Sequence, residues 1–127
     1  MAFISANIQR EVEQATEATM GKKAVRSINI VQHPRDINKT LVTMEVNARY
    51  KKRTGLQRDS AKLLRKLLAI SDIEEVVLFQ HAGKEGMTYL MRSTLTKETA
   101  NQIDWNRFKP KMLPDVANNY WQHKKLK

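Results

Sequence analysis

The sequence contains no cysteine, and this absence excludes several kinds of chemistry. Without a thiol the chain has no disulfide framework, no thiolate nucleophile and no zinc–thiolate site. Glycine is also scarce, with four residues, and the AGKEGMT stretch at 82–88 lacks the spacing of a phosphate-binding loop. No apolar run reaches the twenty residues that a membrane span needs. Residues 1–14 lack the positive region and apolar core of a signal peptide.

Groupings of residues that would support catalysis or metal binding are missing as well. The three histidines, His33, His81 and His123, lie far apart in sequence, whereas metal ligands usually pair three or four residues apart. The adjacent carboxylates at 74–75 fall on a predicted exposed face, where solvation explains them. No serine occupies a G-x-S-x-G turn. We therefore predict a protein that is not an enzyme, with no catalytic residues, no cofactor and no metal.

The charge balance indicates what kind of partner the chain attracts. Apolar residues make up 41% and charged residues 28% of the 127 positions, which predicts one globular domain. The formal net charge is +10. A field of that sign attracts nucleic acid, anionic lipid headgroups or the phosphate-rich polymers of a bacterial wall.

Most of this excess charge lies in one stretch, Arg49 to Lys66. Eight basic residues occur within its eighteen positions, with Asp59 the only acid, so the stretch carries eight minus one, or +7. We predict that the eight side chains form a binding site for a polyanion or an acidic partner. The alternative is an ordinary solvated helix face. The predicted site residues are Arg49, Lys51, Lys52, Arg53, Arg58, Lys62, Arg65 and Lys66.

The same stretch contains the clearest amphipathic pattern in the chain. Leucines recur at three- and four-residue spacing, which aligns them on one face of a helix, while the basic residues fall on the other face. The spacing predicts a basic amphipathic helix over residues 55–70. The predicted buried leucines are Leu56, Leu63, Leu64, Leu67 and Leu68.

The pattern predicts a helix, a hairpin, a second helix, a second hairpin and a closing helix. We expect a single α+β domain over residues 1–127 with an antiparallel four-stranded sheet and helices packed mainly on one face. Glycine near both ends of the five-residue link AGKEG favours a hairpin there. The predicted boundaries are 1–21 for the first helix (helical from Phe3), 25–50 for the first hairpin, 55–70 for the basic helix, 74–95 for the second hairpin (its last strand from Met87) and 96–123 for the closing segment.

The strand with the strongest signal runs from Thr40 to Tyr50, where apolar and polar residues alternate strictly. Such alternation predicts one buried and one solvated face. Tyr50 falls on the same face as Val42 and Val46 and is therefore expected in the core. An alternative role for Tyr50, with Phe79 and Tyr89, is a base-stacking platform.

The closing segment carries two helix signals. Thr96 suits the N-cap of a short helix, and Pro114 suits the first position of a final helix that places Val116, Tyr120 and Trp121 on one side. We expect that helix to cover an edge of the sheet.

The run from Met91 to His123 resembles the ending of small lipoprotein-type domains found on the surface of Gram-positive bacteria and in their mobile elements. In that ending a strand leads through a T/S-K-E/D turn into an I-[ND]-W-[DN] segment, and a D-x-A-[DN]-x-Y-W helix closes the domain. The resemblance covers about a quarter of the chain. Its matching residues are Thr96, Lys97, Glu98, Ile103, Asp104, Trp105, Asn106, Leu113, Pro114, Asp115, Ala117, Asn118, Tyr120, Trp121 and His123.

The resemblance implies a non-enzymatic accessory or binding domain, encoded by a cell, a phage or a conjugative element. Its basic face would meet an anionic polymer, membrane headgroups or an acidic protein. The alternative is an intracellular protein that binds nucleic acid through its phosphates, and a third hypothesis is a subunit whose basic face meets the acidic first helix of another copy. We expect an extracytoplasmic, membrane-associated location if an export segment precedes Met1, and a cytoplasmic one otherwise.

Overall fold

The computed structural model describes residues 6–82 and 89–126 as an α+β fold built on one five-stranded sheet. The predicted helix start at Phe3, the predicted loop residues 83–86 and the predicted strand start at Met87 lie outside the described residues. The helices are α1 (Ala6–Met20), α2 (Arg53–Leu68), α3 (Lys97–Gln102) and α4 (Leu113–Val116), with 3-10 turns at Lys22–Ala24 and Pro110–Met112, and the strands are β1 (Val25–Gln32), β2 (Thr40–Asn47), β3 (Ile73–His81), β4 (Tyr89–Thr96) and β5 (Asn119–Gln122).

The sheet is mixed, so the predicted antiparallel four-stranded sheet is wrong. Its strand order is β1-β2-β3-β4-β5, and β2 pairs with β3 in parallel, with Met44 opposite Leu78. The other neighbouring pairs are antiparallel. The physical reason is the connection: α2 carries the chain from the end of β2 back to the start of β3, a strand–helix–strand crossover that makes the two strands parallel.

The C-terminal segment also differs from the predicted order, which ended in a closing helix. Helix α4 does begin beside Pro114, but it ends at Val116, and Asn119–Gln122 then pairs with β4 as a fifth strand. Tyr120 and Trp121 therefore point to opposite faces of the sheet. An edge strand covers β4, in place of the predicted helix.

The leucine face of α2 is buried as predicted, with Leu56, Leu63, Leu64 and Leu67 each 0% exposed. The alternation of β2 is also confirmed, because Val42, Met44 and Val46 are buried and Thr43 is exposed.

Helices α1 and α2 pack on the same face of the sheet. The hydroxyl of Thr16 in α1 contacts the sulfur of Met44, and Ser60 in α2 donates a hydrogen bond of 2.6 Å to Gln80 in β3. Helix α1 ends at Met20, as predicted, where Gly21 has a φ of 87° that favours glycine. The opposite face of the sheet carries a row formed by Glu45, Phe79, Arg92 and Trp121 on four neighbouring strands.

Candidate anion-binding groove

Four of the eight predicted site residues line one groove on the outer surface of α2. Arg58, Lys62 and Lys66 follow one another at intervals of four residues, and Arg65 lies three residues after Lys62, which places all four along one side of the helix. The groove has a volume of about 530 Å³. We call it the α2 groove; its remaining lining residues are Ala61, Ala69, Trp105, Phe108 and Pro110.

The wall opposite α2 is aromatic and is held rigidly. The rings of Trp105 and Phe108 lie 5.1 Å apart between centroids, and both pack against the core. Trp105 donates a hydrogen bond of 3.2 Å from its indole N–H to the carbonyl of Ala100. Asp104 accepts a hydrogen bond from the backbone N–H of Asn106, which shapes the turn that presents both rings.

Arg65 joins the two walls of the groove. Its guanidinium carbon lies 5.1 Å from the centroid of the Trp105 ring, within the range of a cation–π interaction. The ring therefore fixes one of the four cations in place.

Within residues 6–82 and 89–126, none of the four groove cations has a carboxylate oxygen within 4.0 Å. Glu11 of α1 lines a neighbouring depression together with Lys66, yet the two form no ion pair. Like charges one helical turn apart repel each other, so this face carries an electrostatic cost that the described part of the chain does not offset.

Arg49 is placed differently, because it binds the carboxylate of Asp59 through two hydrogen bonds of 3.0 and 2.7 Å. Asp59 is buried, with 2% of its surface exposed. The hydrogen bond to Asp59 raises the pKa of Arg49 above its ordinary value. Arg49 thus neutralises a buried carboxylate and ties the end of β2 to α2.

Tyr50 is exposed to 41%, so its predicted place in the core is wrong. Strand β2 ends at Asn47, and the alternation that placed Tyr50 inside stops there. The Tyr50 ring instead lies between two guanidinium groups, 5.4 Å from Arg49 and 5.3 Å from Arg58. A Cβ at Gly55 would come within 2.7 Å of this side chain, so any larger residue there would have to displace Tyr50.

The remaining three predicted site residues do not reach the α2 groove. Lys51 lines a separate cleft with Arg49, His123 and Lys125. Lys52 and Arg53 are exposed at the start of α2. The eight basic residues therefore form one cluster of four, a structural arginine and a dispersed remainder.

Trp105 and Phe108 line the α2 groove, but neither is among the predicted site residues. Their spacing of three residues is the signal that points to a shared face, but the surrounding segment has no helical or strand pattern. Only their contacts with α2 reveal their role.

Each of the three histidines has a ring nitrogen within hydrogen-bond distance of another residue. His33 and His123 accept hydrogen bonds from the backbone N–H groups of Arg35 and Lys125, and His81 lies 2.9 Å from Glu45. Across the described ranges, no three residues of the His, Cys, Asp and Glu types come together in a way that would hold a metal ion.

In the same part of the chain, no helix combines the length and apolarity needed to cross a membrane.

Comparisons with protein-family models, with curated proteins and with solved structures found no match to this chain.

Proposed function

We propose that the protein is a non-enzymatic binding domain that takes an anionic partner in the α2 groove. The observation that supports this most is the set of four cations along one helix face, none with a carboxylate partner in the described structure. An anionic partner would relieve their mutual repulsion and would be attracted by the +10 net charge.

The four groove cations support this proposal more directly than Arg49 does. Arg49 already has a buried counter-ion, whereas Arg58, Lys62 and Arg65 are exposed and share a concave surface. Concave sites with an apolar lining and a few convergent charges are the usual form of binding sites.

The resemblance of Met91–His123 to Gram-positive surface domains makes a partner outside the membrane the leading form of this proposal. The partner would be a wall polymer, an anionic membrane surface or an acidic protein. Nucleic acid is the alternative, favoured by the net charge of +10.

Charge reversal at Arg58, Lys62 and Arg65 tests the proposal. The triple glutamate variant is compared with a control in which Lys22, Lys23 and Lys124, all exposed and outside the groove, become glutamate. Each triple change removes six units of charge, from +10 to +4, so any difference between the variants reports position.

Binding to heparin, polyglutamate, duplex DNA and anionic vesicles is measured against salt. We expect the groove variant to dissociate at clearly lower salt than the control on at least one matrix. For duplex DNA, the log–log salt slope should fall by about one unit per lost phosphate contact. Equal behaviour of the two variants would contradict a groove site. Unfolding of the groove variant alone would show that its cations are structural.

A further inference from the structure

The α2 groove is lined by apolar surface as well as by charge. Ala61 lies between Arg58 and Lys62, Ala69 lies at the C-terminal end of α2, and Trp105, Phe108 and Pro110 form the facing wall. A ligand that brought only negative charge would leave this apolar surface in water. Burying apolar surface is favourable by roughly 25 cal/mol per Å², so the complementary ligand carries an apolar group beside its anionic groups.

A nucleic-acid base fits the aromatic wall poorly. Bases bind proteins by stacking on an open aromatic face, but the Trp105 ring already carries the Arg65 guanidinium at 5.1 Å. Its indole N–H is bonded to Ala100, and Phe108 packs against it. A base would have to displace Arg65, the cation that the same ligand needs for its phosphate.

Duplex DNA and wall polymers match the groove less well for a different reason. Their phosphates are the outermost groups, so they would contact the rim cations and leave the apolar lining unfilled. A membrane surface is broad and gently curved, whereas the groove is a concavity of about 530 Å³.

The size of the groove suits a short stretch of polypeptide. From Arg58 to Ala69 the lining of α2 extends about 16 Å at 1.5 Å per residue. That length matches about five residues of extended chain or three turns of helix. The volume of about 530 Å³ is enough for one large side chain and its neighbours.

We infer that the α2 groove binds an acidic protein segment that carries an aromatic or large aliphatic anchor. The anchor packs against Trp105 and Phe108, and flanking carboxylates pair with Arg58, Lys62 and Arg65. Because Trp105 holds Arg65 in place, that pairing costs less side-chain entropy than one with a mobile lysine. The inference rests on the proposed function and specifies the class of partner.

A second copy of this chain is a weaker candidate for the same groove. Helix α1 presents exposed carboxylates at Glu11, Glu13 and Glu17, which supply charge for the rim. The copies each carry +10, however, so their association is opposed by long-range repulsion. Self-association is therefore an outcome of the test rather than the proposal.

Three matched synthetic peptides serve as probes. The first alternates glutamates with leucine and phenylalanine at helical spacing, the second replaces its apolar residues with serine, and the third replaces its glutamates with glutamine. None contains tryptophan. The protein has two tryptophans, so in a Trp121→Phe background the emission of Trp105 alone reports binding.

We expect the first peptide to bind at least about tenfold more tightly than either of the others and to shift the Trp105 emission.

Ala69→Phe fills the groove without changing its charge, and it should weaken binding of the first peptide about tenfold while leaving elution from heparin unchanged. Ala18→Phe, on an exposed face of α1, is the control. If Ala69→Phe does not fold, Lys62→Gln with Arg65→Gln tests the rim, and should weaken the first peptide but not the third.

The outcomes separate the two proposals. Equal affinity for the first two peptides would overturn the acidic-segment inference and leave a purely electrostatic site. Loss of any difference between the two charge-reversal variants would overturn the proposed function itself. A larger Trp105 response to single-stranded DNA than to the first peptide would identify a nucleic acid as occupant. Self-association abolished by Ala69→Phe would identify a second copy, and both results contradict the inference.

Discussion

Two ion pairs in this molecule are built with opposite burial. In the Arg49–Asp59 pair the carboxylate is the buried member, with side-chain exposures of 39% for the base and 3% for the acid. In the His81–Glu45 pair the base is buried, with exposures of 6% and 36%. The first pair joins the end of β2 to α2, and the second joins β2 to β3 on the opposite face of the sheet.

The difference decides how each pair responds to its surroundings. Arginine stays charged throughout the accessible pH range, so the Asp59 carboxylate always has its counter-ion. The second pair differs because a histidine is charged only when it is protonated. The first pair therefore stays an ion pair, and the charge of its arginine is already matched by a buried carboxylate. This is why Arg49 differs from Arg58, although both lie against the Tyr50 ring.

The largest effect is expected from Arg49→Met, which leaves the buried Asp59 carboxylate without a partner. Breaking a fully buried pair costs about 3–5 kcal/mol. Because Arg49 is 39% exposed, we expect a smaller loss of about 2 kcal/mol in the free energy of unfolding, measured with urea.

Arg58→Met is the matched control for that experiment. It removes an arginine that contacts the same tyrosine ring but has no carboxylate partner among residues 6–82 and 89–126, so its cost should stay below about 1 kcal/mol. If the two variants are equally stable, the Arg49–Asp59 pair has no special structural role. Replacing both Arg49 and Asp59 with apolar residues should recover part of the loss.

Gly55→Ala tests the tyrosine that the two arginines share. The added methyl group lies 2.7 Å from Tyr50 atoms, which forces Tyr50 away from its position. Overpacking of this kind costs about 1–3 kcal/mol, offset by about 1 kcal/mol of helix propensity. We expect a net loss of about 1 kcal/mol in the free energy of unfolding. In a Tyr50→Ala background the clash disappears, so the same substitution should become neutral or stabilising. An unchanged loss there would point to another cause.

Acid stability should distinguish the second pair. Hydrogen bonds from Ser27 and then from His81 lower the pKa of Glu45 below its ordinary value of 4.5. Because the folded-state pKa is depressed, the stabilisation is complete above the unfolded pKa and is lost as pH falls through the folded value. Wild type should therefore lose stability more steeply than Glu45→Gln as pH falls from about 5. Parallel curves in acid-dependent urea unfolding would contradict this.

The smallest effect is expected from Ser27→Ala. The Ser27 hydroxyl donates a hydrogen bond of 2.8 Å to Glu45 and is the largest contribution to the lowered pKa. Its removal should raise the pKa of Glu45 towards the ordinary value, as followed by NMR titration of the carboxyl carbon. Ser5→Ala is the control for the substitution itself. A larger rise in Glu45 pKa after His81→Gln than after Ser27→Ala would reverse the assigned order of the two partners.

Local patterns predicted the parts of the fold that depend on nearest neighbours. The leucine spacing of α2 and the alternation of β2 each reflect one buried face, and burial confirms both. The N-cap at Thr96 is confirmed as well, since its hydroxyl accepts a hydrogen bond from the backbone N–H of Thr99. These features can be predicted without knowing which distant segments of the chain they contact.

The pairing of β2 with β3 and of β4 with β5 was not predicted, because it joins segments that the sequence pattern does not connect. The strands within the pairs β1–β2 and β3–β4 are antiparallel, as in hairpins, whereas the order strand, helix, strand around α2 favours a parallel crossover between the two pairs. The short strand at Asn119–Gln122 was mistaken for helix. Asn118, just before this strand, and Asn119, its first residue, are weak helix formers, and the Tyr120–Trp121 pair favours a strand.

The structure places the eight predicted site residues in different surroundings, which the sequence does not distinguish. A run of basic residues in the sequence does not reveal which of them meets a buried acid, and nothing near Asp59 marks it as buried. Trp105 and Phe108 lie about forty residues beyond α2 in an irregular segment. Only the packing of that segment against α2 separates the groove cations from the rest.

The parallel pairing of β2 with β3 has a consequence for how the protein is made. A ribosome completes β1, β2 and α2 before it reaches Ile73, so the nascent chain emerges with the inner edge of β2 unpaired. That edge becomes the centre of the finished sheet, and while it is open it is a template for pairing with other chains. Premature termination within α2 should therefore yield an aggregating fragment rather than a smaller folded domain.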